Sequence, residues 1–134
     1  MATISDLIGL GLHPFLAKQI AITPVSVTAV GSTLGSANQV PNTAGLAYVV
    51  STNSGSAVKL PQIGGDLGVT LGFPIIVMNL LSAAITVFAS GSATLQGNGV
   101  SASGDTGVAI ATNNGIQFWP VTSTTWAYDK FGSA

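Results

Sequence analysis

Arginine, glutamate and cysteine are absent from this chain of 134 residues, and its only charged side chains are three Lys and four Asp. General acids, general bases, nucleophiles and metal ligands are drawn largely from residue types that are missing or rare here. Without cysteine, the chain can form neither disulfides nor thiolate metal sites. We therefore expect no catalytic residues, no metal site and no cofactor, and we interpret the chain as a structural or assembly protein rather than an enzyme.

Positive charge is equally scarce and is confined to Lys18, Lys59 and Lys130. Nucleic-acid binding requires several cations that neutralise phosphates on one face, so a nucleic-acid partner is not expected. The net charge of −1 and the hydrophobic content of 47% instead favour association between protein subunits, because weakly charged surfaces repel one another little. The composition thus predicts an oligomer.

The most apolar part of the chain, residues 69–89, has the length of a transmembrane helix. Pro74 and Asn79 interrupt it, β-branched residues dominate it, and no basic residue flanks it closely. These features are typical of successive strands joined by a turn. We therefore expect no membrane partner for this chain.

The first 23 residues predict a short helical arm. Pro14 can open a helical turn, where its missing N–H is not needed. The apolar residues Phe15, Leu16 and Ile20 then recur at helical spacing, and Pro24 ends the segment. We interpret this arm as a contact element rather than as part of a domain core.

The remaining residues, 24–134, predict a single β-domain. Short runs of apolar and β-branched residues are separated by turns rich in Gly, Asn and Ser, which is the pattern of a sandwich or barrel. The domain is therefore predicted to be mainly β, with a sandwich or jelly-roll-like arrangement. The predicted strands lie at residues 25–29, 46–51, 57–60, 73–78, 84–88, 107–111, 116–119 and 125–128, with a further short one at 94–95.

Two connections in the β-domain carry specific predictions. Residues 31–43 are rich in Gly, Ser, Asn and Pro and predict an extended loop or arm, a candidate for contact with another chain. The T-N-N-G sequence at residues 112–115 predicts a tight hairpin, because Asn-Gly supports the positive φ angles of such turns.

The candidates for catalytic residues are His13, Asp66 and Asp105. His13 is the only histidine and has no nucleophile or orienting partner in its neighbourhood along the chain. Asp66 and Asp105 lie in Gly-rich loops, so a glycosidase-like carboxylate pair is a second hypothesis. Asp beside Gly is first of all typical of a turn, and we assign these residues to turns.

Aromatic residues gather near the end of the sequence, where Trp119 and Trp126 are the largest. Exposed aromatic rings could form a carbohydrate-stacking platform. Buried rings would instead close the core of the domain or fill an oligomer interface, where Trp is enriched. We favour the second interpretation, and it leaves core and interface open as alternatives.

Two stretches carry a resemblance to a known family. ISDLIGLGLHPFLAKQIA at residues 4–21 resembles the short helical opening of many small virion proteins of tailed bacteriophages. SAVKLPQIGGDLGVTLGFPIIVMNLLSAAITVFASGSATLQG at residues 56–97 is similar to a recurrent phage β-module, with T-T-W-A-Y at residues 124–128 in the place of its terminal strand. The family is that of the capsid decoration, or cement, proteins and related small head or fibre proteins.

The resemblance implies a virion protein on the outer surface of the phage head that locks neighbouring major capsid proteins together. It also implies self-association, typically as a homotrimer. The partners expected are thus further copies of this chain and the major capsid protein. The candidate interface residues are Leu12, Phe15, Leu16, Ile20, Trp119 and Trp126.

Three rival functions remain open from the sequence. The first is a fibre or tail module that binds host carbohydrate through the aromatic residues near the end of the chain. The second is a small hydrolase that uses the Asp66 and Asp105 pair. The third is a membrane-inserted protein such as a holin.

Overall fold

The computed structural model of the protein describes residues 23–65 and 68–131. The regular structure in these two stretches consists of β-strands. The strands are β1 (Thr23–Val30), β2 (Asn38–Gln39), β3 (Ala44–Asn53), β4 (Ala57–Lys59), β5 (Ile75–Asn79), β6 (Ile85–Phe88), β7 (Thr94–Gly97), β8 (Val100–Ser103), β9 (Val108–Ile110), β10 (Gly115–Thr122) and β11 (Thr125–Lys130).

The strands form two sheets. One sheet has seven strands in the order β1-β3-β5-β10-β11-β7-β8, and the other has four in the order β2-β4-β6-β9. Alternate residues of both sheets enter one hydrophobic core, including Val49, Val77 and Phe118 from the larger sheet and Val58 and Val87 from the smaller one. Strands with one buried face show this alternation because successive side chains point to opposite sides of the sheet.

The first six strands alternate between the two sheets. β1, β3 and β5 are parallel neighbours in the larger sheet, and β2, β4 and β6 are parallel neighbours in the smaller one. The chain therefore winds as a coil whose successive turns add one strand to each sheet. Parallel neighbours need such crossover connections, since a tight turn can join only antiparallel strands. We call residues 23–88 the coil region.

The later strands are organised differently. β7 and β8 form an antiparallel hairpin, and so do β10 and β11. β10 also pairs antiparallel with β5, and β9 pairs antiparallel with β6, so that this part extends both sheets of the coil region. A parallel pairing of β11 with β7 joins the two hairpins. We call residues 94–130 the hairpin region.

The prediction of a mainly β protein is confirmed. Each of the predicted strands overlaps an observed one, and the short strand predicted at 94–95 is the start of β7. The jelly-roll-like arrangement is not confirmed. A jelly roll pairs its strands antiparallel, whereas in this domain four strand pairings are antiparallel and five are parallel. The predicted helical arm, with Leu12, Phe15, Leu16 and Ile20, lies outside the described residues.

The hairpin predicted at residues 112–115 is wrong. Asn113 does adopt a positive φ of 58°, but the strands on either side, β9 and β10, belong to different sheets. The tight hairpin lies instead at Asn98 and Gly99, whose φ angles of 51° and 74° match the turn that joins β7 to β8. Both sites contain Asn-Gly, so the local signal alone does not distinguish a hairpin from a crossing between sheets.

The stretch predicted as an extended arm, residues 31–43, lies against the body of the domain. Ala37 and Val40 are buried, and the Leu34 N–H donates to the Asp105 carboxylate at 2.7 Å. Its two-residue strand β2 pairs with β4. The small residues allow this close approach to the chain's own core, so the segment is not a free arm.

Candidate interaction surface

The larger sheet turns one side to the core and the other side away from it. On β3, Ala47 and Val49 are buried, whereas Leu46 and Tyr48 are half-buried and Val50 is 49% exposed. The same alternation holds on β5, where residues 75, 77 and 79 are buried and residues 76 and 78 are half-buried. Outward positions on a solvated sheet are normally polar, so apolar residues on this side need an explanation.

The strand register brings these outward residues together. Leu46 lies opposite Ile76, and Tyr48 lies opposite Met78, on the parallel pair β3 and β5. Directly opposed side chains on neighbouring strands contact each other. They therefore form a continuous apolar strip along the two strands rather than scattered exposed residues.

The strip continues at the end of β5. The Leu80 N–H donates to the Val49 carbonyl at 2.9 Å, which continues the parallel register and places Leu80 beside Val50. Leu80 is 49% exposed, as is Val50. This pair is the most exposed part of the strip, and it lies at the end where β3 and β5 finish.

Trp119 adds an aromatic ring on the other side of β5. It lies on β10 opposite Ala127, next to Phe118, which is opposite Ile75. Trp119 is half-buried and alternates with buried residues along β10, so it points to the outward side. We call the set Leu46, Tyr48, Val50, Ile76, Met78, Leu80 and Trp119 the apolar outer face.

Other outward positions of the same sheet include polar residues, although Val121, two residues after Trp119 on β10, is also 52% exposed. Ser26 and Thr28 occupy the outward positions on β1, and Gln96 and Asp129 do so on β7 and β11. Asp129 lies opposite Gln117 at the border of the apolar outer face. The face itself contains no ionisable side chain except the Tyr48 phenol. It is thus an apolar patch on the outward side of the larger sheet, and such patches are candidates for an interaction surface.

Trp126 occupies the core rather than the surface. Its exposure is 0%, and its indole Nε1 has no hydrogen-bond partner among the residues that the structure describes. Nearby, the Phe118 and Tyr128 rings pack with centroids 6.0 Å apart. The assignment of Trp126 to an interface is therefore corrected, because a fully enclosed side chain has no surface left for another subunit. Trp119, in contrast, is only half-buried and therefore remains a candidate interface residue.

Of the remaining candidate residues, the structure describes only Asp105. Asp105 is exposed in the turn after β8, where its carboxylate accepts the Leu34 N–H. Asp66, its partner in the hydrolase hypothesis, and His13 lie outside the described residues. Residues 23–65 and 68–131 contain no group of three or more His, Cys, Asp or Glu placed to hold a metal ion.

A polar cleft of about 490 Å³ lies between loops at the end of the domain where the β10–β11 turn is found. Its lining includes Gln39, Lys59, Gln62, Ser90 and Ser92. Sugar sites characteristically stack a ring on an aromatic side chain, and none of the described lining residues is aromatic. The cleft therefore offers hydroxyl and amide groups around a single cation.

The apolar outer face was missed by the sequence analysis, although its signal is present. The runs LAYVV at residues 46–50 and IIVMNLL at residues 75–81 are apolar at both odd and even positions. A strand with only one buried face alternates apolar and polar residues. Continuous apolar character is therefore the sequence signal of a strand that carries apolar residues on both faces.

The described stretches contain no helix with the length and apolar character needed to cross a membrane. Comparison of the chain with protein-family models, curated proteins and solved structures finds no significant match.

Proposed function

We propose that this protein is a non-enzymatic virion protein of a tailed bacteriophage, a capsid decoration protein that binds the outer surface of the head as a homotrimer. The observation that carries the proposal is the apolar outer face, which gathers apolar side chains of β3, β5 and β10 on the outward side of one sheet. The family resemblance of residues 4–21 and 56–97 supports the same role.

The physical demands of such a role fit this chain. A decoration protein adds apolar contacts across a shell that is assembled from many identical copies. Burial of apolar area contributes about 25 cal/mol per Å² before the costs of association, and repeated copies make a modest affinity per site sufficient. A sheet face supplies that area without the cost of ordering a loop.

The residues proposed to contact other chains are Leu12, Phe15, Leu16 and Ile20 in the N-terminal segment and Trp119 on the apolar outer face. Each of them is an apolar side chain, the kind that gains free energy when it is buried against another apolar surface. The proposal assigns no catalytic residue, metal or cofactor. The partners are other copies of this chain and the major capsid protein, and the location is the outer surface of the head.

Copy number per particle tests the proposal. Quantitative mass spectrometry of purified phage particles would give the ratio of this protein to the major capsid protein. Hundreds of copies in a simple ratio support a decoration protein. A handful of copies would assign the chain to a fibre or tail, which is the carbohydrate-binding alternative, and absence from the particle would refute a virion role.

Charge substitutions on the larger sheet test whether the apolar outer face itself makes the contact. Val50→Asp combined with Leu80→Asp should abolish incorporation into particles, because two charges would have to be desolvated at the contact. The matched control is Ser101→Asp combined with Ser103→Asp, two exposed positions on β8 at the far edge of the same sheet. Equal incorporation of both double variants would show that the apolar outer face is not a contact surface.

A further inference from the structure

The polar cleft lies where several parts of the chain meet: the loop between β1 and β2, the segment after β4, the turn after β6 and the turn between β10 and β11. Its volume of about 490 Å³ falls within the range of small-molecule sites, about 300–1,000 Å³. A molecule of liquid water takes up about 30 Å³, so a simple inorganic ion would fill only a small part of the cleft. Its size therefore suits an organic ligand.

The strand register places a cation and an amide side by side in this cleft. Lys59 on β4 lies opposite Gln39 on β2, and both residues line the cleft. Val58 belongs to the core, so the next residue, Lys59, is directed to the other side of the smaller sheet. Gln39 is exposed and Lys59 is half-buried. One site thus offers amide hydrogen-bonding groups next to a positive charge.

Lys59 has no anionic partner within residues 23–65 and 68–131. Its ammonium group makes no ion pair or hydrogen bond with these residues, and none of the described lining residues is Asp or Glu. Asp105 comes near the cleft at Leu34, but it is not part of the lining, and its carboxylate accepts the Leu34 N–H at 2.7 Å. An anionic group on a ligand would give Lys59 a charge-assisted hydrogen bond, which is stronger than a neutral one.

The other polar groups of the cleft suit a ligand with many hydroxyl groups. Ser92, Ser123 and Thr124 are exposed lining residues, and their hydroxyl groups both donate and accept hydrogen bonds. Two buried lining residues, Ile63 and Ala93, add a limited apolar surface. Since no described lining residue is aromatic, a ligand would be held by hydrogen bonds and charge rather than by ring stacking.

From this combination we infer that the cleft binds an acidic sugar, with its carboxylate on Lys59 and its hydroxyl groups on Gln39 and the neighbouring hydroxyl side chains. A single cation is too few for a nucleic-acid backbone. Lys59 and Gln39 belong to the smaller sheet, whereas the apolar outer face lies on the side of the larger sheet that is turned away from the core. Both surfaces can therefore be occupied at once, and sugar binding is a further function that does not depend on the proposed capsid role.

Nuclear magnetic resonance titration of isotope-labelled full-length protein tests the inference. The probe is digalacturonic acid, and the matched ligand is its dimethyl ester, which keeps the rings and hydroxyl groups but removes the negative charge. We expect saturable shifts of the backbone amide signals of Gly91, Ser92 and Ser123 with the acid. The ester should bind several-fold more weakly.

Substitutions then test the role of the cation. Lys59→Gln should weaken binding of the acid by about tenfold, the loss expected for one charge-assisted hydrogen bond, and Lys59→Arg should retain most of the affinity. Lys130→Gln removes the same charge from β11, outside the cleft, and should leave the affinity unchanged. Gln39→Ala, which should weaken binding several-fold, repeats the test should Lys59→Gln disturb folding, as judged by circular dichroism.

Four results would overturn the inference: no saturable shift with the acid, equal affinity for acid and ester, an equal loss in Lys59→Gln and Lys130→Gln, or equally tight binding of inorganic phosphate at the same signals. The last would show an unselective anion site. The capsid role fails or stands separately, because Val50→Asp combined with Leu80→Asp should abolish incorporation into particles and leave sugar binding unchanged.

Discussion

The coil region and the hairpin region differ in how their strands are connected and paired. In the coil region all neighbouring strands are parallel, and every connection crosses from one sheet to the other. In the hairpin region, β7 and β8 are joined by a two-residue turn, as β10 and β11 are at residues 123–124. The difference teaches that strand direction in this protein follows the path of the connection: crossings between sheets join parallel neighbours, and two-residue turns join antiparallel ones.

The two regions also differ in how the backbone N–H and C=O groups of their connections find hydrogen-bond partners. A hairpin turn closes its own backbone hydrogen bonds, whereas a crossing between sheets leaves backbone groups that need side-chain partners. Asn79 provides this in the coil region, where its Nδ2 donates to the Ala83 and Ile110 carbonyls and its Oδ1 accepts the Leu81 N–H. Ser90 does the same for the Leu60 carbonyl. Coil connections therefore depend on individual polar residues, and hairpin turns depend on backbone conformation.

The largest loss of stability is expected from a substitution on the core side of the hairpin region. Trp126→Ala should lower the free energy of unfolding by about 3–5 kcal/mol, because it removes the largest fully buried side chain and leaves a cavity. Trp126→Phe should lose much less, since the indole N–H that it removes has no hydrogen-bond partner among the described residues. Urea unfolding measures both, and equal losses would show that the indole nitrogen is satisfied in solution.

The coil region should be most sensitive at Asn79. Asn79→Ala is expected to lower the free energy of unfolding by about 2–4 kcal/mol, because it orphans two carbonyls and one N–H at a residue that is 0% exposed. The matched control is Asn53→Ala on the exposed end of β3, with an expected change of less than about 0.5 kcal/mol. Similar urea midpoints for the two variants would mean that the connection after β5 does not depend on this amide.

A smaller effect is expected at the glycine between β3 and β4. Gly55 has a φ of 152°, and an added Cβ would overlap the Gly31 carbonyl, which accepts the Ser56 N–H at 2.9 Å. Gly55→Ala should therefore destabilise the protein by about 1–3 kcal/mol. Gly35→Ala, where an added Cβ meets nothing within 4 Å, should be neutral or slightly stabilising. A neutral Gly55→Ala would show that the two segments separate easily.

The smallest effect concerns the contact between the two regions. Asp105 in the hairpin region accepts the Leu34 N–H of the coil region at 2.7 Å in an exposed setting. Asp105→Ala should cost about 1 kcal/mol, the range of a single hydrogen bond to a charged acceptor near solvent. Asp129→Ala, also exposed, serves as the control and should change stability less. Indistinguishable thermal midpoints would mean that the hydrogen bond between Asp105 and Leu34 adds nothing measurable to stability.

The positions of most strands were predictable, and their partners were not. Runs such as 46–51 and 84–88 carry β-branched residues between turn signals, which are local properties of the chain. Strand pairing is set by residues far apart in sequence, so residues 112–115 were assigned to a hairpin although β9 and β10 lie in different sheets. The burial of residues 37 and 40 was missed for the same reason, because small residues are compatible with both a free loop and close packing.

The candidate interaction surface was likewise predictable only in part. Trp119 was named from its sequence, but Leu46, Ile76 and Leu80 were not, because each is an ordinary strand or turn residue when considered alone. The parallel register of β3 and β5 makes them neighbours. Trp126 was predicted to lie in a core or an interface, and only the packing of the two sheets decides for the core.

By itself the sequence determined a protein with very few charges, without cysteine, and built of short strands between glycine and asparagine turns. Those properties depend on composition and on residues a few positions apart. The tertiary structure alone decided the parallel coil, the enclosure of Trp126 and the contiguous apolar outer face. The physical reason is that register and sheet stacking are non-local: a shift of one residue in pairing would turn each outward side chain inward.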